Sequence, residues 1–566
     1  MEGLPYYEHH KDTPLQRFMN NPLFSFFLQP LPTFDYMLRL FGNKDANGEG
    51  YLWNRFMRQY NDASEKEYKG YADAIERINR KIEDIFGDGS ILSINGIEKL
   101  FELDRKLPTV DVEFWDGGEM KPHTLTQGNL LYMYMVNKMA DGRMKLRRMG
   151  VTEADMDRIE KILDPRFKEF ADWVQEELLP DLRNKYNEVY KNLFGTSMAE
   201  IENYFPLKIL KNALKQEVDI NDPDEVPLPS TITGSVKKRT RNSAALDITN
   251  ANAFNVLMNH IKEMEHWAAF GEFNRDINTL LSYTRFKNKL LNMTSVYGSG
   301  SKLLKNFIKV CKIASGSEES QSVSELDKTA VNLAKGVTAA KVSLRVFTAL
   351  KQFLSLPAFI ADGDAKTFVA SLAYPPMAWN WCMKNLPIFE KRWSSRMAGD
   401  PRLLKTEVDW SVWRSKVVEQ AARIGMAPNA FIDAVTVAIG TYSIYKGKYK
   451  KYIDAGLSKE NAEKRAKEDA TIAFNETQQS NETAYMSPMQ TARTWFSVLF
   501  TIFRNSSISY TRKLWQHTAN LKNRLKGKTD INYMAKKAFR EGLTEEQAMK
   551  YARGRYMLSH YSAEFH

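Results

Sequence analysis

Apolar residues recur along most of this chain at three- and four-residue intervals, the spacing that gathers them on one face of an α-helix. Between positions 69 and 86, Tyr71, Ala74, Ile75, Ile78, Ile82, Ile85 and Phe86 form a wide apolar stripe. Glu76, Arg77, Arg80, Lys81, Glu83 and Asp84 fill the other side. Phe254, Leu257, Met258, Ile261, Met264 and Ala268 repeat the pattern. So do Phe167, Phe170, Ala171, Val174 and Leu178, in a helix that Pro180 is expected to end because proline has no N–H to donate. Three corners share one construction: Gly150-Val151-Thr152, Gly456-Leu457-Ser458 and Gly542-Leu543-Thr544. Glycine can close a helix in the left-handed conformation, and the hydroxyl two residues on can cap the next helix. Gln547 follows Thr544 at the capping-box distance, and Leu543 is placed to pack on Ala548. The exception to the helical period is Val110 to Trp115, which alternates with period two. Asp116-Gly117-Gly118 and a second short run to Leu125 follow, so a β-hairpin is predicted. Two strands alone are marginal, so the hairpin is expected to lean on neighbouring helices.

These patterns predict an all-α chain, an elongated multi-helix assembly with one small β-hairpin near residues 110–125. Gln216–Thr249 breaks the periodicity: it is acidic, then proline-rich, then basic. The expected organisation is a helical domain over 1–215 carrying the hairpin, a linker or extended arm over 216–250, and a central helical domain over 251–445. A basic helical region covers 446–566. Ala314–Ser324, rich in Ser and Glu, is a second soft stretch.

Composition narrows the class. The 566 residues are 43% hydrophobic and 26% charged, which excludes wholesale disorder. Two cysteines, Cys311 and Cys382, exclude a disulfide scaffold and a cysteine-rich zinc module, and fit a reducing compartment. The N-terminal residues lack the basic-then-apolar order of a secretory signal. Phe431–Tyr445 and Ala492–Phe503 are the most apolar candidates for a membrane span. Both are too short and read as buried helices.

The net charge of +11 is uneven. From Lys446 onward there are 22 Lys and Arg against 12 Asp and Glu, whereas the first 445 residues carry 58 against 57. A local basic excess favours polyanions, either nucleic acid or an anionic membrane face. Lys446, Lys448, Lys450 and Lys451 interleave with Tyr449 and Tyr452. Cations of this kind neutralise phosphates and rings stack on bases. Arg504, Arg512, Lys513, Lys522, Arg524, Lys526 and Lys528 extend the candidate interface. On a helix these charges wrap around, which suits nonspecific contact.

No catalytic constellation is legible. His260 and His266 lie near Glu263 and Glu265, but six residues on a helix turn the rings apart, whereas a zinc pair sits at i, i+4. Gly298-Ser299-Gly300-Ser301-Lys302 lacks phosphate-loop spacing, no GxSxG elbow occurs, and both cysteines sit in apolar helical contexts. The chain is therefore expected to be non-enzymatic and to need no cofactor or metal. Phe474–Glu482 reads as a helix end with side-chain caps.

Several segments carry a family resemblance: GMAPNAFIDAVTVAIGTYSIYK (425–446), GLSKENAEKRA (456–466), FNETQQSNE (474–482), SPMQ (487–490) and FRNSSISYTR (503–512). Upstream are LRRMGVTEADMDRIEKIL (146–163), ADWVQEELLPDLRNKYNEVY (171–190) and EHWAAF (265–270). In this order they resemble the large helical module of polyvalent and internal virion proteins of tailed bacteriophages and related mobile elements. The similarity spans roughly 125–515. It implies a cargo protein in the virion interior, ejected with the genome into the host envelope or cytoplasm. Its implied partners are phage genomic DNA, bound nonspecifically, and other virion proteins such as portal, capsid or ejection proteins. Transient host membrane contact is also implied. The family carries no catalytic residues to transfer, and this chain is shorter than its usual members. Alternatives left open are a structural head, portal or neck subunit, and an envelope-active conduit.

Overall fold

The computed structural model describes residues 33–41, 50–87, 97–116, 119–208, 246–292, 300–315, 363–390, 416–477 and 483–485, with Thr544 and Glu546. The protein is predominantly α-helical, with a single two-stranded sheet among the described residues. The elements are α1 (Phe34–Phe41), α2 (Tyr51–Phe86), α3 (Ile97–Lys106), β1 (Val110–Asp116), β2 (Glu119–Leu125), α4 (Gln127–Lys138), α5 (Ala140–Arg148) and α6 (Glu153–Ile162). They continue as α7 (Pro165–Trp173), α8 (Leu179–Phe194), α9 (Ala253–Ser282), α10 (Thr284–Leu291) and α11 (Gly300–Ala314). The last are α12 (Ala365–Ala373), α13 (Pro375–Asn385), α14 (Lys416–Asp454), α15 (Lys459–Thr477) and a 3-10 turn at Thr483–Tyr485.

Two long helices organise the first half. α2 and α9 run antiparallel: Arg55 meets Asp276, Tyr60 packs on Phe270 and Phe273, and Gly70 lies against Glu265. A methyl group at Gly70 would collide with the Glu265 carboxylate, so glycine is what admits that side chain to the contact. The stripe of α2 behaves as its periodicity predicts. Ala74, Ile78 and Ile82 are buried, while Tyr71, Ile75, Ile85 and Phe86 flank them. These residues join a first apolar cluster with α3, the hairpin, α4 to α8 and the first half of α9. A second cluster gathers α1, the start of α2, the end of α9, α10 and α11, together with Ile472, Ala484 and Tyr485.

The hairpin forms in the expected place, with Val110 opposite Leu125 and Asp116 opposite Glu119. Val112, Phe114 and Leu125 turn inward, while Asp111, Glu113 and Trp115 face water. The Trp115 N–H donates to the Met149 carbonyl at 2.8 Å, fastening the strand to the α5–α6 corner. At that corner Gly150 has a φ of +85°, and the Thr152 hydroxyl accepts from the Asp155 N–H in a reciprocal capping box. Gly456 repeats the left-handed φ at +87°, and the Ser458 hydroxyl accepts from the Asn461 N–H. Residues 542 and 543 of the third corner lie outside the described residues.

One expectation is corrected. Pro180 does not end its helix. A π turn at Val174–Leu178 links α7 directly to α8, and the Leu179 N–H donates to the Val174 carbonyl five residues back. Pro180 falls in the first turn of α8, directly after this register slip. The helix then continues to Gly195, which closes it in the left-handed conformation. The linker prediction also gains detail at its end. Leu246 and Ile248 are buried, and the Asn129 amide donates to the Ile248 carbonyl at 3.1 Å.

A third cluster is built differently. Ala434 and Ala438 of α14 and Ala462, Ala466 and Ala470 of α15 are all buried, and small side chains at four-residue intervals let the two helices approach closely. α12 docks onto α14 where the Asp364 N–H donates to the Ser443 carbonyl at 3.1 Å. A Cβ at Gly447 would come within 2.9 Å of the Asp364 nitrogen, so glycine is what admits α12 there. This cluster connects to the second through an ion pair between Arg58 and Glu468, and within the second the Ala484 N–H donates to the Tyr60 hydroxyl at 3.3 Å.

Candidate nucleic-acid interface

The last turns of α14 bring cations and rings together at helical spacing. Tyr442, Tyr445 and Tyr449 share a face, with Lys446 and Lys450 beside them. Trp381 of α13 stacks on Tyr445 at 4.1 Å between centroids and 28° between planes. Tyr445 stacks in turn with Tyr449 at 5.9 Å and 27°. The Lys446 ammonium lies 5.6 Å from the Tyr442 centroid and 5.9 Å from that of Tyr445, within cation–π range. Burial, then Glu463, Tyr449 and Tyr442, push the Tyr445 hydroxyl up to about 12, so the ring stays neutral.

The four candidate cations of this segment are already engaged with the protein to different degrees. Lys448 lies 3.9 Å from Asp469. Lys450 is exposed and close enough to Asp364 to help hold that carboxyl below its usual range, an effect led by hydrogen bonds from Thr367. Lys451 is half-buried. Tyr452 is buried and its hydroxyl donates to Asp469 at 2.5 Å. This ring belongs to the α14–α15 seam and presents no face to a base, contrary to the reading of the interleaved segment. Arg504, Arg512, Lys513, Lys522, Arg524, Lys526 and Lys528 lie outside the described residues. Residues 446–477 hold eight Lys and Arg against six Asp and Glu. Residues 478–566 hold fourteen against six, so most of the basic excess falls beyond α15.

The other candidate groups sit in structural surroundings. The His260 ring lies against Tyr204, whereas His266 stacks on Phe270 and bonds Glu67 and the Ser315 carbonyl. Cys311 and Cys382 are fully buried, and burial pushes both thiols up, away from the reactive thiolate. Phe431–Tyr445 lies within α14, where Val437, Ala438, Ile439 and Ile444 are buried. Residues 492–503 lie outside the described residues. Among the described residues no helix is long and apolar enough to cross a membrane, and no group of three or more His, Cys, Asp or Glu is placed to hold a metal ion.

Sequence reading missed two buried carboxylates. Asp104 accepts from the Gly128 N–H at 2.6 Å, the Asn252 amide at 2.8 Å and the Thr126 hydroxyl at 3.1 Å. Glu265 accepts from both the Lys185 ammonium at 2.7 Å and the Tyr186 hydroxyl at 2.9 Å. Each ties together segments distant in sequence, a signal that no local pattern carries. A groove of about 350 Å³ between α2 and α9 is lined by both signs of charge, including Arg55, Arg58, Asp62, Lys66, Glu272 and Asp276. Burial raises the Asp62 carboxyl there, against the pull of Lys464, Lys66 and Arg58.

The fold thus places the chain in the class of predominantly helical proteins, with a single hairpin among the described residues. In comparison with known proteins, no family, no curated protein and no solved structure matches the chain.

Proposed function

We propose that this is a non-enzymatic internal virion or cargo protein of a tailed bacteriophage, packaged in the head and ejected with the genome. It contacts that genome without sequence preference through its basic C-terminal region, residues 446–566. The observation that carries the reading is the segregation of charge, with fourteen cations against six acids in residues 478–566 beside a nearly neutral first 445. A polycation segment of this kind displaces counterions from phosphates whatever the base sequence. Helices with mainly local contacts also refold quickly after passage through a narrow channel.

The test uses the full-length chain and a variant with Arg504, Arg512, Lys513, Lys522, Arg524, Lys526 and Lys528 all changed to Gln. Duplex DNA binding by fluorescence anisotropy is expected for the parent at low salt and to be largely lost in the variant. Equal binding by both proteins would remove the support for this reading. Mass spectrometry of purified particles, asking whether the chain is inside them, tests the packaging half of the proposal separately.

A further inference from the structure

The ring ladder of α13 and α14 has a direction. Trp381 and Tyr445 stack closely, Tyr445 is buried, and Tyr449 is the last plate, with part of its surface still accessible. Lys446 follows Tyr445 and Lys450 follows Tyr449, each by one residue, so the two cations repeat the four-residue interval of the rings. Tyr449 packs against the third cluster yet keeps part of its surface accessible, beside the exposed ammonium of Lys450. Exposed aromatic plates flanked by cations bind unpaired bases, because every base has a π-face and every nucleotide a phosphate. A paired base would first have to be unstacked, at a cost of a few kcal/mol per step.

We propose that Tyr449 extends its ladder by stacking on an unpaired base of a single-stranded nucleic acid, with Lys446 and Lys450 supplying charge for the adjoining phosphates. This rests on the reading of the protein as a nucleic-acid binder but uses a site separate from the basic residues beyond α15. It adds a preference for single strands that phosphate contact alone does not give.

The experiment measures anisotropy of the full-length chain on a labelled oligothymidine and on a duplex of equal length. Two variants accompany it: Tyr449→Phe keeps the plate, and Tyr449→Leu keeps apolar bulk without it. Tyr449→Phe is expected to stay within about twofold of the parent, and Tyr449→Leu to lose roughly fivefold or more on the single strand with no change on the duplex. A 4-thiothymidine oligonucleotide is expected to crosslink to Tyr449 in the unmodified chain, a readout independent of variant folding. Unchanged single-strand affinity in Tyr449→Leu, or crosslinks that avoid Tyr449, overturn the ladder site. The seven-cation variant separates the two claims. If it binds both ligands as the parent does, the charge reading fails while the ladder is judged by Tyr449→Leu alone. If the parent binds neither ligand, both are overturned.

Discussion

The first and third apolar clusters both pack aromatic rings, but the third adds a seam of small residues that the first lacks. In the first, bulky side chains interdigitate: the Phe254 ring lies 5.4 Å from Phe167, 5.6 Å from Phe101 and 6.2 Å from Phe170. Its buried polar groups include carboxylates met by several donors, as at Asp104 and Glu265. In the third, alanines and Gly447 let helices approach, and the polar groups buried there include the hydroxyls of Thr436, Thr441 and Ser443. The Ser443 hydroxyl donates to the Gly440 carbonyl within its own helix. The first cluster is therefore sensitive to lost volume and lost acceptors, and the third to added volume.

The comparison can be broken at either end. Phe254→Ala opens a cavity where three rings met, and is expected to lower unfolding free energy by about 3–5 kcal/mol in urea titrations. A loss below about 1 kcal/mol would mean the ring cluster collapses freely, unlike a close-packed core. Asp104→Ala leaves the Gly128 N–H, the Thr126 hydroxyl and the Asn252 amide facing a void, and should cost on the order of 1–3 kcal/mol. Ala466→Leu tests the other side of the contrast. Forcing a larger chain into the fully buried α14–α15 seam should cost about 1–3 kcal/mol, and a neutral result would show room that close approach does not allow. The smallest effect expected is Thr152→Ala, about 1 kcal/mol from the lost cap at the α5–α6 corner.

A pH series sharpens the same contrast. Burial raises the Asp104 carboxyl above its ordinary value of 3.8, outweighing the hydrogen bonds from Gly128, Thr126 and Asn252. A carboxyl raised in the folded state favours folding most while protonated. That contribution is complete below the ordinary carboxylate range and is lost as pH rises through the raised value. Wild-type stability relative to Asp104→Asn should accordingly fall as pH climbs through that window. A difference that stays flat across the series would contradict the burial of this group.

How much of this was legible in the sequence depends on the range of the interaction. The stripe at Ala74, Ile78 and Ile82, the alternating strand at Val110–Trp115 and the caps at Thr152 and Ser458 are set by residues within a turn or two, and periodicity finds them. Pro180 misleads because a one-residue register slip has no local signature, and the π turn that absorbs it is held by packing of Val174 and Leu178. Asp104 is joined to Asn252 across 148 positions, and Lys185 to Glu265 across 80, distances over which spacing rules say nothing. At the candidate interface, the sequence reading set Tyr449 and Tyr452 among the lysines and did not single out Tyr445. Only the stacking partner Trp381 and the burial of Tyr452 distinguish the open end of the ladder from the seam.

Charge segregation is the feature from which the functional reading starts, and ionic strength addresses it most directly. Duplex DNA affinity of the full-length chain, measured across a series of salt concentrations, should fall along a straight line in logarithmic coordinates. Replacing the seven cations between Arg504 and Lys528 by Gln should flatten that line by up to about 0.9 per phosphate contact removed. The same slope in both proteins would contradict contact through the basic end of the chain.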